Sequence, residues 1–187
     1  MSHRFHEIAP EDWSGNAFEK IGKDWMLVSA ESEAGKPNTM TASWGGVGVL
    51  WNKPVAFVFL RPQRYTATLV DRTGELSLSF FRGEEDPFPT GRYEDVVHDA
   101  KVREALRFCG AHSGRDTDKF RETGLTPAYE DGIPYVAEAD SAMICRVLYQ
   151  SELKKSEFLS PEPLSNYPKE DFHRVYICEI KKVLKAD

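Results

Sequence analysis

What the sequence lacks narrows it before any motif is read. Basic residues are in the minority: 24 Lys and Arg stand against 30 Asp and Glu, a net charge of −6. No overall positive field draws in nucleic acid or an anionic membrane, so any anion site has to be built locally. No apolar run approaches the roughly 20 residues that cross a bilayer, and "MSHRFHEIAPEDW" has neither the apolar centre nor the cleavage pattern of a signal peptide. The expectation is a soluble, cytoplasmic protein without a membrane or nucleic-acid partner. Cysteine is scarce: Cys109, Cys145 and Cys178 are far apart with no C-x-x-C pair, which argues against a disulfide framework or a zinc knuckle and for reduced, packed thiols. His3 and His6 are spaced H-x-x-H in what reads as an N-terminal tail, with no third ligand nearby, so no metal site is expected. There is no G-x-S-x-G, Walker loop or H-E-x-x-H, and "GGVGVL" lacks the third glycine of a dinucleotide fingerprint.

What is present is one domain's worth of core, 41% hydrophobic residues in a chain of 187. β-Branched and aromatic residues cluster in short runs at 24–31, 39–44, 55–60, 75–81 and 174–184, with a less cleanly alternating run at 142–153. "GKPN", "NKP" and "RTG" separate the early ones with turn chemistry. Residues 92–110 place Val96, Val97, Ala100, Ala105, Leu106 and Cys109 near helical spacing and end at Gly110, a plausible stop. Residues 113–124 open with Ser113, carry Asp116 three positions on and finish at Gly124, a second, shorter helix. Regular alternation of strand and helix is missing, so the expected class is mainly β, a β-barrel with helical insertions. Residues 1–187 read as a single domain, with 1–15 an N-terminal extension.

Four groups of residues could carry chemistry. Arg61 and Arg64 follow the buried-strand run, and Pro62 suits the first turn of a helix expected over 63–70. Two guanidiniums beside Tyr65, Thr66 and helix N–H groups suit a phosphate; the alternative is that both arginines pair with carboxylates on a solvated face. "NTMTASW", Asn38 to Trp44, interleaves amide and hydroxyl groups with Met40 and Trp44, which a heteroaromatic ring with polar edges requires; the alternative is an alternating strand whose hydroxyl face meets water. In "SGRDTDK", Ser113, Gly114 and Lys119 either form a ligand turn or belong to a capped surface helix. His173 stands where the last strand begins, a rim position from which a histidine touches a ligand or merely packs.

Taken together, residues 38–66, 113–119, "GLTP" (124–127) and "HRVYICEI" (173–180) resemble the flavoredoxin and flavin reductase-like family of FMN-binding split barrels, over nearly the whole chain. The resemblance implies a six-stranded split barrel, a homodimer, and FMN as cofactor. It implies that Asn38, Thr39, Met40, Thr41, Ala42, Ser43 and Trp44 line the isoalloxazine, and that Arg61, Arg64, Tyr65 and Thr66 hold the phosphate end. Phe80, Ser113, Gly114 and Lys119 would lie close to the flavin, with His173 the candidate catalytic residue. The implied activity is electron transfer through FMN between a reduced nicotinamide, NAD(P)H as substrate, or a protein donor and an acceptor. The alternative is a non-catalytic FMN carrier or sensor. In the flavin reductase branch the histidine usually follows Gly-Asp; here His173 follows Asp171 and Phe172, which is similar to the flavoredoxin-like branch.

Overall fold

The computed structural model describes residues 4–32, 34–82 and 93–187, with side chains of 93–99 outside the description. His3, Val96 and Val97 therefore lie outside the described residues or side chains. The strands are β1 (Phe5–Ile8), β2 (Met26–Glu31), β3 (Pro37–Ala42), β4 (Gly45–Leu50), β5 (Lys53–Leu60), β6 (Glu75–Phe80), β7 (Pro127–Glu130), β8 (Ile133–Val136), β9 (Ser141–Glu152) and β10 (Arg174–Ala186). The helices are α1 (Tyr65–Thr73), α2 (Tyr93–Ala111) and α3 (Lys119–Thr123), with a short π-helical stretch at Phe18–Lys23 and 3-10 turns at Pro10–Asp12, Lys155–Glu157 and Glu162–Asn166. Among the described residues no helix is long and apolar enough to cross a membrane.

One antiparallel sheet runs in the order β3-β2-β6-β9-β10-β5-β4, and β1 adds to the far end of β10. β10 manages three partners because it is long: Arg174–Glu179 face β5, Phe5–Ile8 pair with Val183–Ala186, and β9 follows the other edge. Register shifts at Ile177/Cys178 and Ile180/Lys182 add the local bend and twist that bulges bring. β3 and β4 are the two ends of the strand order, yet only Ser43 and Trp44 separate them in sequence. The barrel is split there, and the split is where the candidate site lies.

The interior is filled from several elements at once. Val28, Met40, Val58, Leu60, Ala67, Val70, Leu78, Phe80, Met143 and Tyr176 belong to one buried cluster, so α1, which buries Thr66, Ala67, Leu69 and Val70, closes one side of the barrel. A second cluster of Leu27, Phe81, Val102, Ala105, Leu106, Cys109, Phe120 and Leu125 seats α2 and α3 outside the sheet. All three cysteines are buried and unpaired.

The six strands expected from the sequence are all present, and four more accompany them. β4 is the glycine-rich "GGVGVL", which has little side chain to signal a strand; Gly45 is needed there because a Cβ would come within 2.7 Å of the Phe57 carbonyl. β1 gives His6 a place in the sheet rather than in a tail, opposite Lys185. α2 continues through Gly110 to Ala111. α1 starts at Tyr65, not Gln63: Arg61–Arg64 form a turn closed by the Arg64 N–H donating to the Arg61 carbonyl at 3.0 Å, and Pro62 sits in that turn.

Candidate functional site

Two adjoining hollows lie beside β3, the first reaching the Ser43–Trp44 link to β4. The first, about 240 Å³, is lined by Met40 to Trp44, Phe59, Arg61, Arg64, Gly110 and His173. The second, about 190 Å³, is lined by Gln63 to Thr66, Ala111 to Gly114 and Lys119, and shares Met40 and Arg64 with the first. Together they pass the roughly 300 Å³ at which small-molecule sites begin. A wider hollow of about 740 Å³ adjoins the second through Tyr65, Gly114 and Lys119 and takes in Asn38.

The sequence candidates divide accordingly. Met40, Thr41, Ala42, Ser43, Trp44, Arg61 and His173 meet at the first hollow, and Tyr65, Thr66, Ser113, Gly114 and Lys119 at the second, with Arg64 between them. Asn38 supports the second from behind, its amide donating to Thr66 Oγ1 at 2.8 Å. Thr39 is fully buried and bonded to Ser29, away from both hollows. Phe80 is not brought here: it is buried, 5.1 Å from the Trp13 ring, and lines a separate hollow with Trp13 and Lys20.

The cations are already engaged. Arg64 donates twice to the Gly110 carbonyl, at 3.0 and 2.9 Å, and Lys119 Nζ donates to the Cys109 carbonyl at 2.8 Å. Both positive charges thus sit at the C-terminus of α2, where the helix dipole favours them. Burial, with the neighbouring Arg61, lowers the Arg64 pKa. Burial also brings Lys119, only 3% exposed, down to about 8. The Cys109 thiol beside them is pushed up to about 11 by burial, so it is a packed thiol and not a nucleophile. Arg61 takes the carboxylate alternative, pairing with Asp171.

The "SGRDTDK" segment splits into a turn and a helix. Ser113 Oγ accepts from the Arg115 N–H at 3.2 Å, and α3 begins only at Lys119, capped by Asp118, which accepts from the Arg121 N–H at 3.1 Å. Gly114 passes so close to β3 that a Cβ would lie 1.8 Å from Asn38 Oδ1. The turn therefore presses on the strand, and Lys119 is held under it.

His173 is 8% exposed, lies 4.9 Å from the Trp44 ring, and shares a 3.0 Å hydrogen bond between Nδ1 and the Tyr167 hydroxyl. Burial first, then the Arg61 charge, brings its pKa down to about 4, so the imidazole is neutral at neutral pH. Tyr167, Asp171 and Gly110 are the participants that the sequence reading missed, whereas Arg115 belongs to the expected Ser113–Lys119 turn. Arg115 reaches the Gln63 carbonyl at 3.0 Å and lies 5.1 Å over the Tyr65 ring; nothing in its local spacing announces that. The donor set fits a phosphorylated heteroaromatic: flat apolar walls at one end, and a guanidinium, an ammonium and hydroxyls at the other.

The flavin reductase like domain family matches residues 18–186, and the chain belongs to that family. Among solved structures it is similar to an FMN-binding domain of a flavin reductases-like enzyme from Shewanella baltica OS155, at 17% identity over 100% of this chain and 79% of that one, TM-score 0.65. It is similar to flavoredoxin of Desulfovibrio vulgaris (Miyazaki F), at 25% identity over 87% and 69%, TM-score 0.59. It is also similar to nitrilotriacetate monooxygenase component B from Bacillus cereus, at 16% identity over 96% and 81%, TM-score 0.63. No curated protein matches the sequence significantly. The fold is that of the FMN-binding split barrels, mainly β with helical insertions.

Proposed function

We propose that this member of the flavin reductase like family is an FMN-dependent oxidoreductase that passes electrons from a reduced nicotinamide or a protein donor to an acceptor. The observation that carries the reading is the pair of joined hollows, aromatic and apolar at one end and cationic at the other. When bound, FMN supplies the redox chemistry, and the chain supplies its seat and its electrostatics. Met40 and Trp44 offer apolar surface to the ring, and β3, as an edge strand, keeps main-chain N–H donors outside its ladder. Arg64, Lys119 and the Tyr65, Thr66 and Ser113 hydroxyls hold the phosphate end beside the N-terminus of α1. His173, neutral and tied to Tyr167, orients at the ring end and contributes no net charge there.

A titration of the purified protein with FMN, followed by flavin fluorescence, tests this. Each charge-assisted contact is worth about 1.5–3 kcal/mol, so Arg64→Ala should weaken binding at least tenfold. Unchanged affinity in that variant refutes the phosphate assignment. We also place the protein in the cytoplasm as a homodimer of a single domain. A second reading, an FMN carrier or sensor without nicotinamide turnover, is favoured by one observation: His173, backed by the Tyr167 ring at 5.6 Å, lines the ring end.

A further inference from the structure

The chain between β9 and β10 has only 3-10 turns of its own, and side chains hold it against the split. Arg61, at the end of β5, supplies most of that hold. Its guanidinium pairs with Asp171, donates to the Asn166 carbonyl at 2.9 Å, and lies 5.3 Å over the Tyr167 ring. Gln63 Nε2 donates to the same Asp171 oxygen at 2.8 Å. The other oxygen, Oδ1, is buried without a partner, a cost that a carboxylate on a free surface would not bear. Tyr167, 7% exposed, packs 4.8 Å from Phe172 and edge-on to His173 at 5.6 Å. His173 in turn rests on Trp44. The contacts form a continuous wall from Arg61 to the ring end of the cleft.

Resting on the flavin reading above, we propose that Arg61 is a positioning residue that latches residues 153–172 onto the ring end, and that the latch decides which electron donors enter. The hollow of about 240 Å³ is bounded on this side by Arg61 and His173, the two residues that tie it to the 153–172 segment, so the room for a second ring beside one flat ring system depends on how that segment is held. A dihydronicotinamide must stack a second ring there before its hydride, two electrons and a proton, can pass to the flavin. It is admitted only by the unlatched fraction of molecules, and its apparent affinity is reduced by that fraction. A protein donor that delivers electrons across the exposed edge of Trp44 needs no such opening.

The test compares the full-length wild type with Asp171→Asn and Arg61→Gln. The first readout is NMR titration of the His173 imidazole without flavin. The groups that face His173 are Arg61, Asp171, Tyr167 and Trp44; burial lowers its pKa most, the Arg61 charge lowers it further, and the Asp171 charge raises it. If the latch keeps the ring from water, breaking it from either side lets His173 titrate higher in both variants. If Asp171 acts by charge alone, Asp171→Asn lowers the titration, the opposite sign. The second readout is the rate at which NADH bleaches bound FMN, expected to rise roughly tenfold in both variants, with FMN affinity little changed in Asp171→Asn. A His173 titration unmoved or lowered in Asp171→Asn, or no gain in bleaching, overturns the proposal. So does weaker FMN binding by Arg61→Gln with tighter binding by Asp171→Asn, which would make Arg61 a phosphate ligand. Should no protein take up FMN, the flavin reading fails, and the imidazole titration still decides the latch.

Discussion

At the scale of single residues, the site depends on two that its surroundings constrain tightly. Gly114 leaves no room for a Cβ, which would lie 1.8 Å from Asn38 Oδ1 and 3.1 Å from Tyr65 Cδ1. Gly114→Ala should cost about 1–3 kcal/mol as overpacking does, lowering the denaturation midpoint and loosening FMN together. Lys119 gives the site a pH signature. With its pKa brought down to about 8 by burial, the free protein is charged there below that value and loses the proton as pH rises through it. A bound phosphate favours the ammonium, so binding above about pH 8 requires proton uptake and FMN affinity falls as pH climbs from there. Lys119→Gln should bind FMN more weakly at pH 7 and show no such fall; a titration series at several pH values checks both. The sequence singled out Arg64, Tyr65, Thr66 and Lys119 through residue type, position after a strand and family resemblance, and the structure brings them to the two hollows. Asp171 and Tyr167 stayed hidden because they meet Arg61 across more than a hundred positions, a distance that local spacing does not encode.

At the scale of elements, what could be read depended on how much side chain a segment carries. β2, β5, β6, β9 and β10 are rich in β-branched and aromatic residues, and the sequence locates each to within a few positions. β4 has three glycines in six residues, so its pairing with β5 comes from the tight turn at Trp51 and Asn52, whose φ values are 53° and 57°. Helix starts were shifted by local hydrogen bonds: Pro62 was taken by a turn, and Ser113 by another, leaving Asp118 to cap α3. Asp118→Ala should therefore destabilise the protein by about 1 kcal/mol, and because α3 begins at Lys119, should weaken FMN binding as well. Thermal melts with and without FMN measure the two effects separately. A stability loss with unchanged FMN affinity would mean that the cap does not help to hold Lys119.

At the scale of the molecule, the barrel with helical insertions was legible from the run of short strands, whereas the strand order was not. It depends on β10 being long enough to serve β9, β5 and β1, a tertiary arrangement that periodicity cannot report. The same order puts β3 and β4 at opposite ends of the sheet while Ser43 and Trp44 tie them together. The resulting split holds Arg64 and Lys119 in a protein whose net charge is −6, so the proposed anion site would owe nothing to an overall field. This split is the proposed seat of FMN. The most direct measurement is the near-ultraviolet and visible absorption spectrum of the purified protein after incubation with FMN and gel filtration, repeated under anaerobic NADH. An FMN seat in the split gives a retained flavin band that NADH bleaches slowly and dithionite bleaches at once. A protein that leaves the column with no flavin band would contradict it.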